Sequence, residues 1–447
     1  MAQPETQPPA WPFSGRTGLL VLVSFVAGLA FVLQLALVVF ASTSDESPTE
    51  SLDDPIRALA MVSEIERRSE VAAAELPPVA AELVYGVDED ARAEIAADWD
   101  ELVATFEGEA NSEGAARARL AKDVAMARWG DEQARARVLA APERELEGLP
   151  SVLAGSSAEA ALATPAGGSF APALLTWGAR LVLVTLGIVI AAVWFRRGRP
   201  EPRVRSTRAL RGFGLGRGVL VFVWLDGMLV LALVAVLVVE VASPAWSDYA
   251  WSVPTLLSLV PVALATRALL ARPAGVELGE LWRPEPGSSR SSGWRTILLA
   301  AAVSFAVDSS FESAVGAAAE AAGYDPAWHA YVDETMMWGQ NGVRTLSVLD
   351  AVIGAAVVEE LVFRGVLFGA LRERMETLPA ALLSGLLFGL VHGYEPVGLA
   401  VVSFSGFVYA LTYERTGSLA PCVLVHAVSN LLASAGMLSV PAILGGP

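Results

Sequence analysis

The stretch VVEELVFRGVLFG, Val357 to Gly369, decides how this chain is read. Its flanks are apolar, yet it carries two adjacent carboxylates, Glu359 and Glu360, and a guanidinium, Arg364. The apolar run around it, Leu346 to Leu371, exceeds the ~20 residues that a helix needs to cross a hydrocarbon core. An ionisable side chain inside such a helix costs a few kcal/mol even on insertion-based scales. Groups of that cost face a protein-lined or watered interior rather than lipid.

The rest of the chain has the same character. It has 447 residues, 54% of them hydrophobic, with mean hydropathy +0.50. Besides the run around Glu359, apolar runs cover Gly18 to Ala41, Ala173 to Phe195, Val219 to Val241, Val253 to Leu270 and, more weakly, Thr296 to Val307. Three more follow it: Pro379 to His392, Val397 to Tyr413 and Leu419 to Val440. The fold class expected is therefore all-α, a polytopic helical membrane protein of about 8–9 transmembrane helices. No ten-residue alternation argues for an outer-membrane barrel. The run Gly18 to Ala41 reads as an uncleaved anchor rather than a signal peptide, because no tight small-residue cleavage site follows it.

The net charge of −17 is concentrated in one place. Residues 43–172 hold 27 Asp and Glu against 11 Lys and Arg, a balance of −16. Stretches such as RAEIAADWDELVATFEGEA predict solvated helices, so this is an acidic, helical, extracytoplasmic insertion. Its charge excludes nucleic acid as a partner, since phosphates would be repelled. The loop RRGRPEPRVRSTRALRGFGLGRG has eight arginines and one glutamate. Positive loops stay cytoplasmic, and this one can rest on anionic lipid head groups. The expected location is the cell (inner) membrane, with a cytoplasmic N-terminus and residues 43–172 outside. The organisation expected is thus a tip and first helix at 1–42, the acidic insertion at 43–172, helices with Arg-rich loops at 173–345, and a core of apolar helices carrying the ionisable residues at 346–440.

Histidine chemistry has a short candidate list: His329, His392 and His426. His329 sits among Trp328, Tyr331 and Asp333 and reads as a surface residue. The single cysteine, Cys422, excludes an intrachain disulfide framework. His392 lies four residues after Phe388 in FGLVHG, and Asn430 four after His426 in HAVSN. Spacing of four puts two side chains on one helical face. Measured from the nearest helix ends at 1.5 Å per residue, Glu359 and His392 lie roughly 20 Å deep, Asn430 about 17 Å and His426 about 10 Å. Within helix tilt these depths overlap. The helix holding His392 is too short to cross the bilayer and breaks at Gly393 and Pro396, which is tolerated where backbone lines an enclosed cavity. A carboxylate can take a proton from water, and a histidine with an asparagine can donate to an oxyanion. Taken singly, each group also reads as a polar clamp between helices.

In order and spacing, EELVFRG, FGLVHG and YERTGSLAPCVLVHAVSN resemble the motifs of the CAAX prenyl protease and bacteriocin-processing (CPBP, Abi) family of intramembrane proteases. The matching positions are Glu359, Glu360 and Arg364, then Phe388 and His392, then His426 and Asn430. The RTGSL turn, Arg415 to Leu419, is also typical of that family. The resemblance covers about Leu346 to Ala435, one fifth of the chain. It implies a glutamate-dependent endopeptidase in which Glu359 activates a water with His392, while His426 and Asn430 bind the oxyanion. Glu360, with Arg364 and Phe388, would support that geometry. No cofactor follows with certainty; a divalent metal, zinc, on His392 and His426 is left open. There is no HExxH, GxSG or GxGD motif.

The expected partners are a membrane-associated peptide or protein substrate and the bilayer itself. The alternatives are a non-catalytic membrane scaffold or bacteriocin-immunity protein of the same fold, and a proton-relay transporter. The acidic insertion and the helices before Leu346 lie outside the resemblance, and the Ala-, Arg- and Gly-rich composition suggests a high-GC bacterium.

Overall fold

The structure is a computed structural model, described at residues 55–73, 91–150, 153, 157–163, 169–196, 215–273, 277–283, 293–324 and 333–444. The apolar run Gly18 to Ala41, most of the Arg-rich loop and His329 lie outside the described residues. Among the described residues every regular element is helical. The chain divides into two compact units.

One unit takes in residues Asp45–Thr176 with Gly436–Pro447. Its helices are α1 (Pro55–Ala73), α2 (Ala91–Gly108), α3 (Ser112–Arg128), α4 (Glu132–Leu139), α5 (Glu143–Glu147) and α6 (Ala158–Leu162). The sequence predicts solvated helices here, and the outer faces are indeed charged. The inner faces nevertheless bury a core of Ile56, Leu59, Ile95, Trp99, Val124 and Leu146. Alanine spacing along α3 explains why pattern alone underrates this core: Ala115, Ala118, Ala121 and Ala125 are small but buried. Asn111 caps α3 by accepting from the Gly114 N–H, and Asp131 caps α4 by accepting from Gln133 and Ala134. Inside, Glu64 accepts from Arg67 at 2.8 Å and Arg68 at 2.7 Å, with Arg128 at 3.3 Å. Burial alone would raise the Glu64 carboxyl; the hydrogen bonds from Arg67 and Arg68 and the nearby charges hold it below its ordinary value.

The membrane unit takes in Trp177–Pro326 and Asp333–Ala435. The helices are α7 (Ala171–Arg196), α8 (Leu215–Ala242), α9 (Ser247–Trp251), α10 (Pro254–Thr266), α11 (Gly293–Ala321) and α12 (Glu334–Trp338). A composite helix follows: α13 (Asn341–Leu349), a π-helical segment Asp350–Ala355, α14 (Ala356–Glu359), a second π-helical segment Glu360–Phe368 and α15 (Gly369–Leu371). Then come α16 (Thr377–Leu390), α17 (Pro396–Thr416) and α18 (Ala420–Leu444). Among the described residues six helices are long and apolar enough to cross a membrane, and α16 is a shorter apolar helix. This is a multi-pass helical membrane protein. Leu175, Val182, Leu231 and Val238 stay exposed along α7 and α8, as lipid-facing side chains do.

Two features differ from the sequence reading. The weak run Thr296 to Val307 is the start of a 29-residue helix, α11. It continues through the polar stretch because Ser304 and Asp308 point inward: Ser304 pairs with Thr412 at 2.6 Å, and Asp308 accepts from Ser405 and Tyr409. The stretch around Glu359 is also not a uniform α-helix. Its two π-helical segments widen the turn where the ionisable residues sit, a placement common at functional sites.

Helix α16 stops as the sequence predicts. Gly393 has φ +73°, a backbone that L-residues with side chains rarely adopt. Glu395 then caps α17, accepting from the Val397 and Gly398 N–H groups at 2.6 and 2.8 Å. α16 and α17 pack almost backbone to backbone through Gly385, Gly389 and Gly406, a small-residue interface of the kind that lets membrane helices approach closely. A methyl at Gly385 would sit 2.6 Å from the Ser403 carbonyl oxygen and 2.7 Å from the Phe407 nitrogen. Gly385→Ala is therefore expected to lower the unfolding midpoint in detergent by roughly 5 °C. Gly316→Ala, with nothing within 4 Å, serves as the control; equal midpoints would contradict this packing.

Candidate active site

The site is built on the composite helix, the end of α16 and the first half of α18. Glu360 and Arg364 are fully buried, with Nη1 of Arg364 2.9 Å from Oε1 of Glu360. The guanidinium is enclosed by rings, its central carbon 4.1 Å from the Phe388 centroid, 5.2 Å from Tyr409 and 6.0 Å from Phe363. A cation over ring faces is favoured most where water is excluded. Phe388, singled out in the sequence for its spacing from His392, is thus a wall of the arginine cage.

Each imidazole is fixed through Nδ1. His426 Nδ1 donates to Glu360 Oε1 at 2.9 Å, and His392 Nδ1 donates to the Phe388 carbonyl at 2.6 Å. Anchoring one ring nitrogen orients the other. Both Nε2 atoms then face the same atom, Glu359 Oε2, at 3.7 Å from His392 and 3.9 Å from His426. Those separations exceed a hydrogen bond, and Oε2 has no hydrogen-bond partner in the protein among the described residues. The adjacent glutamates therefore have opposite surroundings. Glu360 is sealed between Arg364 and His426, while Glu359, with its side chain 17% exposed, faces a gap lined by two imidazoles.

Asn430 is placed differently from His426. Its Nδ2 donates to the Ala351 carbonyl at 2.7 Å, on the first π-helical segment, where the altered hydrogen-bond register frees backbone groups. Asp350 of that segment accepts from the Thr255 and Leu256 N–H groups at the start of α10, at 3.3 and 2.6 Å. The composite helix is thereby tied to α10 and to α18 at consecutive residues, Asp350 and Ala351. The RTGSL turn positions α18: Gly417 has φ +64°, Ser418 donates to the Trp282 carbonyl at 2.9 Å, and the Leu419 N–H donates to Leu281 at 2.8 Å.

Sequence reasoning missed Asp308 and Tyr409. The Tyr409 hydroxyl donates to Asp308 Oδ2 at 3.0 Å, and its ring lies 5.8 Å from that of His426. The signal was present: Asp308 is a lone acid ending an apolar run, and Ser405 and Tyr409 share a face at a spacing of four.

A metal on His392 and His426 was left open by the sequence. Among the described residues no group of three His, Cys, Asp or Glu side chains is arranged to hold a metal ion. With each Nδ1 anchored, by the Phe388 carbonyl or Glu360, two Nε2 atoms and one Glu359 oxygen converge.

The fold and site define a helical membrane protein with an enclosed Glu–His cluster. Residues 341–432 match the family described as "Type II CAAX prenyl endopeptidase Rce1-like". The chain is also 31% identical over 90 residues to a protein of Bacillus subtilis (strain 168) described as "Putative membrane peptidase YdiL". That match covers 20% of this chain and 36% of the relative's length. No solved structure matches the chain. The family match is confined to this C-terminal segment, and the two comparisons together support the resemblance to the CAAX prenyl protease and bacteriocin-processing family.

Proposed function

We propose that the protein is an intramembrane endopeptidase that hydrolyses a peptide bond of a membrane-associated peptide or protein with a glutamate-activated water. The observation carrying this reading is the convergence of two oriented Nε2 atoms on one unpartnered Glu359 oxygen, at distances that a bridging water would span. The water sits between Glu359 and His392. Glu359 accepts its proton as the oxygen adds to the scissile carbonyl carbon. The carbonyl π electrons move to oxygen, giving a tetrahedral oxyanion. His426, with Nδ1–H committed to Glu360, presents Nε2–H to that oxyanion when its ring is protonated. Asn430 assists with the amide hydrogen it does not give to Ala351. Collapse breaks the C–N bond, and the proton held by Glu359 passes to the leaving nitrogen, releasing a carboxylic acid and an amine.

The similarity to a type II CAAX prenyl endopeptidase family makes a prenylated C-terminal peptide the first substrate to try. Cleavage by wild-type protein that is lost in Glu359→Gln tests the reading; equal cleavage by both overturns it. Residues 43–172 are placed outside the cell, and the Arg-rich loop inside, by the positive-inside rule. An alkaline-phosphatase fusion after Ala110 is accordingly expected to be active and one after Arg208 inactive; the reverse pattern would overturn the orientation.

A further inference from the structure

The loop joining α16 to α17 carries a ring that the hydrolytic reading does not use. Tyr394 stacks on His392, with ring centroids 5.6 Å apart and planes 24° from parallel. Phe388 meets the same imidazole edge-on at 4.8 Å, and its carbonyl takes Nδ1 at 2.6 Å. The tyrosine ring is itself well placed to act as a fixed wall. Gly393 turns the chain at φ +73°. Glu395 is anchored twice, capping α17 and accepting from the Tyr324 hydroxyl at 2.9 Å. Stacked on His392, Tyr394 borders the cluster.

We propose that Tyr394 is a positioning residue for His392: its ring fixes the imidazole plane so that Nε2 faces Glu359. One hydrogen bond at Nδ1 leaves the ring free to swing about that contact. A parallel aromatic face on one side and an edge from Phe388 on another remove that freedom. The ring, not the hydroxyl, supplies the stack, so phenylalanine substitutes for tyrosine and leucine does not. Only the kinetic consequence rests on the proposed hydrolysis; the geometric one stands without it.

The test therefore has two readouts on full-length protein in detergent, comparing wild type, Tyr394→Phe and Tyr394→Leu. The leucine variant keeps bulk in the loop, and matching size-exclusion profiles establish that all three fold. The first readout is diethyl pyrocarbonate labelling of His392, measured by peptide mass spectrometry with His426 from the same digest as reference. Labelling is expected to be about 3-fold faster in Tyr394→Leu than in wild type, within about 2-fold in Tyr394→Phe, and unchanged at His426. The second is cleavage kinetics, where Tyr394→Leu loses about 10-fold in kcat with KM within about 2-fold, and Tyr394→Phe stays near wild type. Equal labelling in all three proteins overturns the proposal, and so does a phenylalanine variant that behaves like leucine. If none of the three proteins cleaves peptide, the proposed function fails while the labelling still decides the role of Tyr394.

Discussion

Glu359→Gln abolishes peptide hydrolysis and leaves the unfolding midpoint of the purified protein unchanged: that is the first expected result. Glutamine has nearly the same shape but cannot accept the water's proton. Loss of a positioned general base costs on the order of 10²–10⁴ in rate. Stability is spared because Glu359 Oε2 makes no hydrogen bond to the protein among the described residues, and the nearest imidazole nitrogens lie 3.7 and 3.9 Å away. A structural clamp would behave the other way, losing stability first.

The neighbouring substitution has the opposite signature. Glu360→Ala strips the partner from Arg364, which is fully buried, and from Nδ1 of His426. Leaving a buried charge uncompensated costs about 3–5 kcal/mol, so the unfolding midpoint in detergent is expected to fall by roughly 10 °C or the protein to stop accumulating. The aromatic cage around the guanidinium does not replace the carboxylate, because ring faces offer no full negative charge. Adding Arg364→Met in the Glu360→Ala background is expected to recover part of the loss, since removing both charges avoids the unpaired one. A Glu360→Ala protein as stable as wild type would contradict the pairing.

The contrast between Glu359 and Glu360 was only partly legible in the sequence. Adjacent carboxylates in an apolar helix stood out, and Arg364, four residues after Glu360, falls on the same helical face as Glu360. The i, i+4 spacing of His426 and Asn430 likewise put both on one face of their helix. Their partners differ, Glu360 for one and the Ala351 carbonyl for the other. That depends on the π-helical turns, which no residue pattern announces. The stop of α16 was readable because Gly393 and Pro396 act locally. Asp308 was harder to read: its role depends on α17 supplying Ser405 and Tyr409, a tertiary match that spacing within α11 cannot reveal. The core of the acidic unit was missed for a similar reason, since alanines bury well but score weakly as a hydrophobic face.

The central claim is that Glu359 activates water for peptide hydrolysis inside the membrane unit. It is tested most directly by incubating purified protein with a farnesylated CAAX reporter peptide and an unprenylated apolar peptide. Wild type and Glu359→Gln are run side by side, each with and without a chelator. The account predicts that wild type cleaves at least one peptide and that Glu359→Gln cleaves neither while eluting and unfolding as wild type does; the chelator arm decides whether a divalent metal takes part. Cleavage by Glu359→Gln at the wild-type rate would contradict it.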